Sequence, residues 1–466
     1  MTRHRKSAII SAALVIAFMA VSGCNSSPKF AVESYVEGTL KVRAEVDSSS
    51  NYAGFRISVL SRTDGDVDTL GTAVTDRSGA FSMNVRAAAS GVYPMVVERT
   101  GYRLSIDDLV VVDGDSARVT GLYPLGPAGL RVVSSENAAW SAYKNAKASH
   151  NQQMLSLMRS RAYTPQDVGR ITAQTSSVLW SVPSAFPGTI GGELSMAESV
   201  VMMEGWSDST VLARLPLVSA TNASIVEVVR AARRSKARIA GQDSALALLD
   251  YYLKVTLEAK HPEIMAEKVI AYSDSFQTQD AIRIATELKK KYPDSEWATW
   301  AGRATYELEN LQPGMNAPAF SVVTRENKNL STASLKGKFV ILEFYDPSEQ
   351  IFQREFVNRD LIADELDERV FATVSISVEP DSVVNEAIFD GMSHPGHFVW
   401  LPTGMESKIV RDFNVQILPT RYLLDPSGQI VTKYTGPGIA KLEEDLASIV
   451  TGLNGITEVP VLKKVN

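Results

Sequence analysis

The sequence predicts a multidomain α+β protein: an N-terminal β-sandwich, a central α-helical region and a C-terminal α/β domain. Three observations carry this reading. Short apolar runs separated by turn residues fill positions 31–124, and apolar residues at helical spacing dominate 125–312. Strand-like and helix-like segments then alternate over 313–455, which implies a largely parallel sheet with helices on its faces.

The bulk composition fits this organisation. The chain has 466 residues, 45% apolar and 21% charged. Roughly two to four domains follow at about 100–200 residues each, and each can bury a core without disulfides or metals. The net charge of −6 gives no electrostatic reason to expect nucleic acid, which calls for a basic face, so nucleic acid is not an expected partner.

The single cysteine, Cys24, excludes an intramolecular disulfide and any CxxC pair within this chain. Its position suggests another chemistry. Arg3, Arg5 and Lys6 precede an apolar run from about Ala8 to Val21, and small residues Ser22 and Gly23 follow. A basic segment, a short apolar segment and a small-residue site form an export signal over 1–23. Val21-Ser22-Gly23-Cys24 resembles a bacterial lipobox. The resemblance implies cleavage before Cys24, acylation of the new terminus, and a membrane partner through that anchor. Acyl chains hold firmly, at about 0.8 kcal/mol per buried CH₂. Asn25 replaces the Asp that marks inner-membrane retention in many such lipoproteins, which favours the outer membrane, facing the periplasm. Residues 24–30 are a tether.

Over 31–124, runs such as 55–60, 71–76 and 93–98 alternate with turn chemistry at Asp64-Gly65, Ser78-Gly79, Thr100-Gly101 and Asp113-Gly114. Thr75-Asp76-Arg77-Ser78-Gly79-Ala80-Phe81 resembles carboxypeptidase-regulatory-like β-sandwich modules of envelope proteins, which implies a structural or adhesive role. Asp64, Asp66 and Asp68 superficially match a calcium loop. The twelfth position is Thr75 rather than glutamate, so a hairpin turn is the reading.

In the helical region, Leu246, Leu249, Leu253 and Leu257 share one face, with Asp243 as the expected N-cap. Ala281, Ile284, Ala285 and Leu288 form a second stripe, and Trp297, Trp300, Ala301, Ala304 and Leu308 a third. Lys291-Tyr292-Pro293-Asp294-Ser295 resembles the turn closing a tetratricopeptide-type hairpin. One or two such units are visible, fewer than a self-standing solenoid requires, so the region reads as a connector. The Gly-, Pro- and Ser-rich stretch from Trp180 to Gly205 is expected to be irregular.

Over 313–455, Leu335-Lys336-Gly337-Lys338 precedes the buried strand Phe339-Val340-Ile341-Leu342-Glu343-Phe344-Tyr345. A helix carrying Arg354-Glu355-Phe356 follows, then the strand 371–377 and Leu418-Pro419-Thr420-Arg421-Tyr422-Leu423-Leu424-Asp425. These ordered blocks resemble the TlpA/ResA-like thioredoxins, relatives of the peroxiredoxins, over under a third of the chain. The family implies a Trp-Cys-x-x-Cys turn at a helix N-terminus, where the helix end favours the reactive thiolate. Counted from Phe344, the two cysteines fall on Glu349 and Phe352, and the tryptophan on Ser348. A peroxiredoxin-style count lands near Gln353. None of these carries sulfur, so the family's redox site is degenerate here and thiol exchange requires a partner's cysteines.

Glu349 admits two readings. It replaces the thiolate charge as a ligand or general base, or it is an anion settled at a helix N-terminus, where about 0.3–1 kcal/mol is gained. Pro419 matches the cis-proline of thioredoxins. In that family the backbone just before it pairs with an extended peptide, a recognition that needs no cysteine. Leu418 and Pro419 are therefore the candidate peptide-binding residues, and a protein or peptide of the envelope is the expected partner. No catalytic residue, metal or cofactor is assigned. His394 and His397 are too few ligands for a zinc site, and Ser141-x-x-Lys144 lacks its companion motifs. The remaining residues, 456–466, form a tail.

Overall fold

The computed structural model describes residues 30–63, 66–126, 129–389 and 393–453. Cys24, the expected export signal and the tail 456–466 lie outside the described residues, as does the Asp64-Gly65 turn. The chain divides into two compact units: residues up to Trp206 with Asn222–Ser224, and Ser207–Thr221 with everything from Ile225 onward.

In the first unit, side-chain alternation sorts each strand into an inner and an outer face. The strands are β1 (Val32–Val42), β2 (Phe55–Thr63), β3 (Asp66–Val74), β4 (Ala80–Ala87), β5 (Gly91–Arg99), β6 (Tyr102–Val111), β7 (Ser116–Tyr123) and β8 (Arg131–Val133). They form two four-stranded sheets, ordered β4-β1-β7-β8 and β3-β2-β5-β6. Val36 and Leu40 of one sheet and Phe55, Ile57 and Val97 of the other belong to one buried cluster. Asp76 fixes the β3–β4 turn by accepting from the Ser78 and Ala80 amides at 2.8 and 3.0 Å.

Three helices follow: α1 (Ser135–Ser160), α2 (Pro165–Ala185) and α3 (Ile190–Val201). Ser134 caps α1, and Thr164 with Asp167 closes a capping box on α2. Asn137 of α1 bonds both the N–H and the C=O of Val110 on edge strand β6. The expectation that Trp180–Gly205 is irregular is wrong. Gly188 and Gly205 sit in turns at positive φ, but Gly191 serves packing: a Cβ on it would stand 2.4 Å from the Ala139 carbonyl carbon, so only glycine lets α3 approach α1. The Thr189 hydroxyl caps α3 by accepting from the Gly192 amide at 3.1 Å.

The second unit opens with α4 (Asp208–Arg214), α5 (Ile225–Ala240), α6 (Gln242–Val255), α7 (His261–Asp274), α8 (Thr278–Lys291) and α9 (Glu296–Asn310). Each packs on the next in the chain, and α7 also meets α9. The α8 stripe Ala281, Ile284, Ala285 and Leu288 is buried as the periodicity predicts. Two details differ. Gly241, not Asp243, is the N-cap of α6, and the helix ends at Val255, leaving Leu257 exposed.

The chain then forms a small hairpin, β9 (Ser321–Val323) with β10 (Asn329–Ser331), and a five-stranded sheet. In chain order the elements are β11 (Phe339–Tyr345), α10 (Gln350–Glu365), β12 (Phe371–Ser377), α11 (Ser382–Ala387), β13 (His397–Trp400), α12 (Lys408–Asp412), β14 (Thr420–Leu424), β15 (Ile430–Thr435) and α13 (Ile439–Leu453). The sheet order is β13-β12-β11-β14-β15. β11, β12 and β13 are parallel, while β14 and β15 run antiparallel to their neighbours. Leu342, Phe344, Val374 and Tyr422 pack on one face, and Ile341, Phe371, Leu423 and Leu442 on the other. No helix among the described residues is long and apolar enough to cross a membrane.

Candidate functional site

The turn 346–349 carries the chain from β11 into α10. Asp346 shapes it by accepting from the Ser348 amide at 2.8 Å and the Ser348 hydroxyl at 2.6 Å. Glu349 is the N-cap residue of α10, yet its side chain makes no capping bond and stands exposed. Phe352, one turn later, is 1% exposed. Its ring stacks on Tyr345 with centroids 4.1 Å apart and planes at 15°, and Phe356 packs beyond it. The two positions read as a degenerate redox pair thus differ in environment: a solvated carboxylate and a core benzyl ring.

Pro419 follows a cis peptide bond. Thr420 pairs with Phe344 across β14 and β11, so the 346–349 turn and the Pro419 loop leave the sheet at the same end. Gln416 and Ile417 are exposed, and Leu418 is half-buried. The Ile417 carbonyl accepts from the Thr420 hydroxyl, and the Pro419 carbonyl from the Gly436 amide. Among the described residues, the amides of Ile417 and Leu418 and the Leu418 carbonyl have no hydrogen-bond partner.

Beneath α10 lies a buried polar chain that sequence reasoning missed. Arg421 donates from Nε to Glu343 at 2.7 Å and from Nη1 to Glu355 at 2.8 Å. The Ser375 hydroxyl donates to Glu343 at 2.9 Å and accepts from Arg359. Arg359 reaches Asp360 at 2.7 Å, and Asp360 meets His394 at 2.5 Å. The signal was present: Glu343 and Arg421 are lone charges within otherwise apolar strand sequences. Burial next to Glu343 pushes the Tyr345 hydroxyl well above its ordinary range.

The two histidines do not converge on a site. His394 is held by Asp360, while burial on β13 lowers the pKa of His397. Among the described residues no group of three or more His, Cys, Asp or Glu is placed to hold a metal ion. Lys144 bonds Asp108 at 2.6 Å instead of activating Ser141.

The surroundings of Pro419 include the helical stack. Tyr306 of α9 donates to the Asp412 carbonyl at 2.9 Å. Glu307 accepts from Asn414 at 2.7 Å and from Lys433 at 2.8 Å. Arg303 contacts Gln416.

No family model matches the chain. The thiol-disulfide oxidoreductase ResA of Bacillus cereus (strain ZK / E33L) is 28% identical over 142 residues, 28% of this chain and 73% of that protein. ResA of Bacillus anthracis is 28% identical over 132 residues, with the same coverage of 28% and 73%. Among solved structures, a thioredoxin family thiol:disulfide interchange protein from Chlorobium tepidum TLS matches 30% of this chain and 97% of its own length, at 24% identity and a TM-score of 0.26. The thioredoxin domain of a Bacteroides vulgatus thiol-disulfide oxidoreductase matches 29% of this chain and 99% of its own, at 19% identity and a TM-score of 0.26. The chain therefore has thiol-disulfide oxidoreductases as relatives over about 28% of its length; the rest lies outside these matches.

Proposed function

We propose that this chain is a lipid-anchored envelope protein whose thioredoxin-like domain binds an extended segment of a partner protein without thiol chemistry. The observation that carries the reading is the contrast between exposed Glu349 and core-packed Phe352 where the family's cysteines would stand. Neither side chain can form or break a disulfide. The main-chain groups of Ile417 and Leu418 without hydrogen-bond partners supply the means of binding, since a strand laid beside them gains backbone hydrogen bonds. In this reading Cys24 carries the lipid, the anchor is in the outer membrane facing the periplasm, and the two-sheet first module is a structural β-sandwich.

Insulin reduction by the soluble mature protein tests the redox half: no acceleration over dithiothreitol alone is expected, and activity overturns the reading. A Glu349→Cys/Phe352→Cys variant, its fold checked by circular dichroism, is expected to gain disulfide exchange. A photocrosslinker placed at Ile417 in cells is expected to capture one discrete partner, while one placed at Lys290 captures none; equal capture at both sinks the binding half. Cys24→Ser is expected to abolish incorporation of labelled palmitate.

The kinship with ResA proteins favours a second reading, a thiol-disulfide oxidoreductase acting with a partner's cysteines. Insulin reduction restored by a cysteine-containing envelope extract, and lost when its thiols are alkylated, would support it.

A further inference from the structure

We infer that the partner segment bound at Ile417–Leu418 also inserts a large apolar side chain, flanked by a carboxylate, into a cavity between α7, α9 and residues 414–417. This inference rests on the peptide-binding reading and names the chemistry of its ligand. The cavity measures about 480 Å³, and Ile270, Trp300, Ala304, Leu308 and Ile417 supply much of its apolar wall. Trp300 is held edge-on to Trp297, with centroids 5.9 Å apart, so its ring is a fixed surface.

Two observations commit the cavity to that occupant. The first is continuity. Ile417 contributes to the cavity wall and also carries an amide without a hydrogen-bond partner. Successive side chains of an added strand point to opposite sides. A strand paired beside Ile417 therefore aims alternate residues at the cavity. The second is charge. Among the described residues, the other rim charges have partners: Asp274 meets Arg233 at 2.9 Å, and Glu307 meets Lys433 at 2.8 Å. Arg303 is exposed and bonded only to the neutral amide of Gln416, with no carboxylate in ion-pair range. A carboxylate two residues from the inserted apolar residue, on the same side of the strand, would complete it. The wall is held in place, because Tyr306, Glu307 and Asn414 tie α9 to this same loop.

A randomised octapeptide phage library panned on the full mature chain is the probe, with the most enriched sequence then made as a fluorescein-labelled peptide. The expected consensus is Phe, Leu or Trp two residues from Asp or Glu. Replacing the apolar residue by Ala should weaken binding about tenfold, as for a buried anchor. Arg303→Glu should weaken the acidic peptide and restore binding of its Asp→Lys counterpart. Trp300→Ala should erase the preference for the large side chain. The subsite falls, with the peptide reading intact, if binding needs the peptide's backbone N–H groups but neither the apolar residue nor Arg303 matters by more than about twofold. If N-methylation of the peptide backbone leaves affinity unchanged, the strand-pairing reading falls instead. Failure to enrich any peptide overturns both.

Discussion

The guanidinium of Arg421 meets the carboxylate of Glu343 at 2.7 Å, with both side chains only 1% exposed. The two residues are direct partners across β14 and β11, so the sheet register enforces the pair. Burying two charges is costly unless each satisfies the other. Arg421→Met leaves Glu343 with only the Ser375 hydroxyl and the more distant Arg359, 3.8 Å away, and should cost about 3–5 kcal/mol in urea denaturation. Glu343→Leu/Arg421→Met should cost less than either single change. Additive losses would show that the pair is not coupled.

Phe352→Ala should remove about 3–5 kcal/mol, because the ring fills a closed aromatic cluster with Tyr345, Phe389 and Phe398. Glu349→Gln should stay within about 0.5 kcal/mol of wild type, as for an exposed side chain away from any cap bond. Comparable losses at the two positions would contradict the environments described for them.

Gly191→Ala should destabilise the first unit by about 1–3 kcal/mol, since the added methyl meets Ala139 backbone instead of a movable side chain. Gly126→Ala is the control. Nothing lies within 4 Å of its would-be methyl, so no loss is expected in thermal melting.

Burial lowers the pKa of His397 below its ordinary value of 6.5. The folded state therefore binds this proton more weakly than the unfolded chain. The associated stability is fully present above pH 6.5 and is lost as pH falls from there through the lower folded value. His150 in the first unit is shifted the same way by burial. An NMR titration of the His397 ring should show a midpoint below 6.5. His397→Gln should flatten, without abolishing, the fall in melting temperature between neutral and mildly acidic pH. A midpoint above the ordinary value would reverse the sign.

Much of the architecture was legible because periodicity reports burial. The stripe from Ala281 to Leu288 and the run 339–345 each announced a buried face, and Pro419 announced the loop at the end of the sheet. Composition misled where residues serve packing. Glycine near Gly191 suggested a break, but its missing side chain is what lets two helices touch. Asp243 looked like a cap because its type fits, while the backbone places the cap two residues earlier, at Gly241. The polar chain beneath α10 was least legible. It depends on which strands are neighbours, and nothing near Glu343 in the sequence reveals that Arg421, far along the chain, is its partner.

The placement of β1 sets an order of assembly. β1 lies between β4, antiparallel to it, and β7, parallel to it. Its second neighbour is not synthesised until Tyr123, so the first sheet stays open on that side of β1 until then. The helices α4 to α9 have no such delay, since each finds its partner in the adjacent segment. A chain cut after Val111 should leave β1 with a bare flank prone to pairing with other molecules, whereas cuts between helices of the stack should leave intact hairpins.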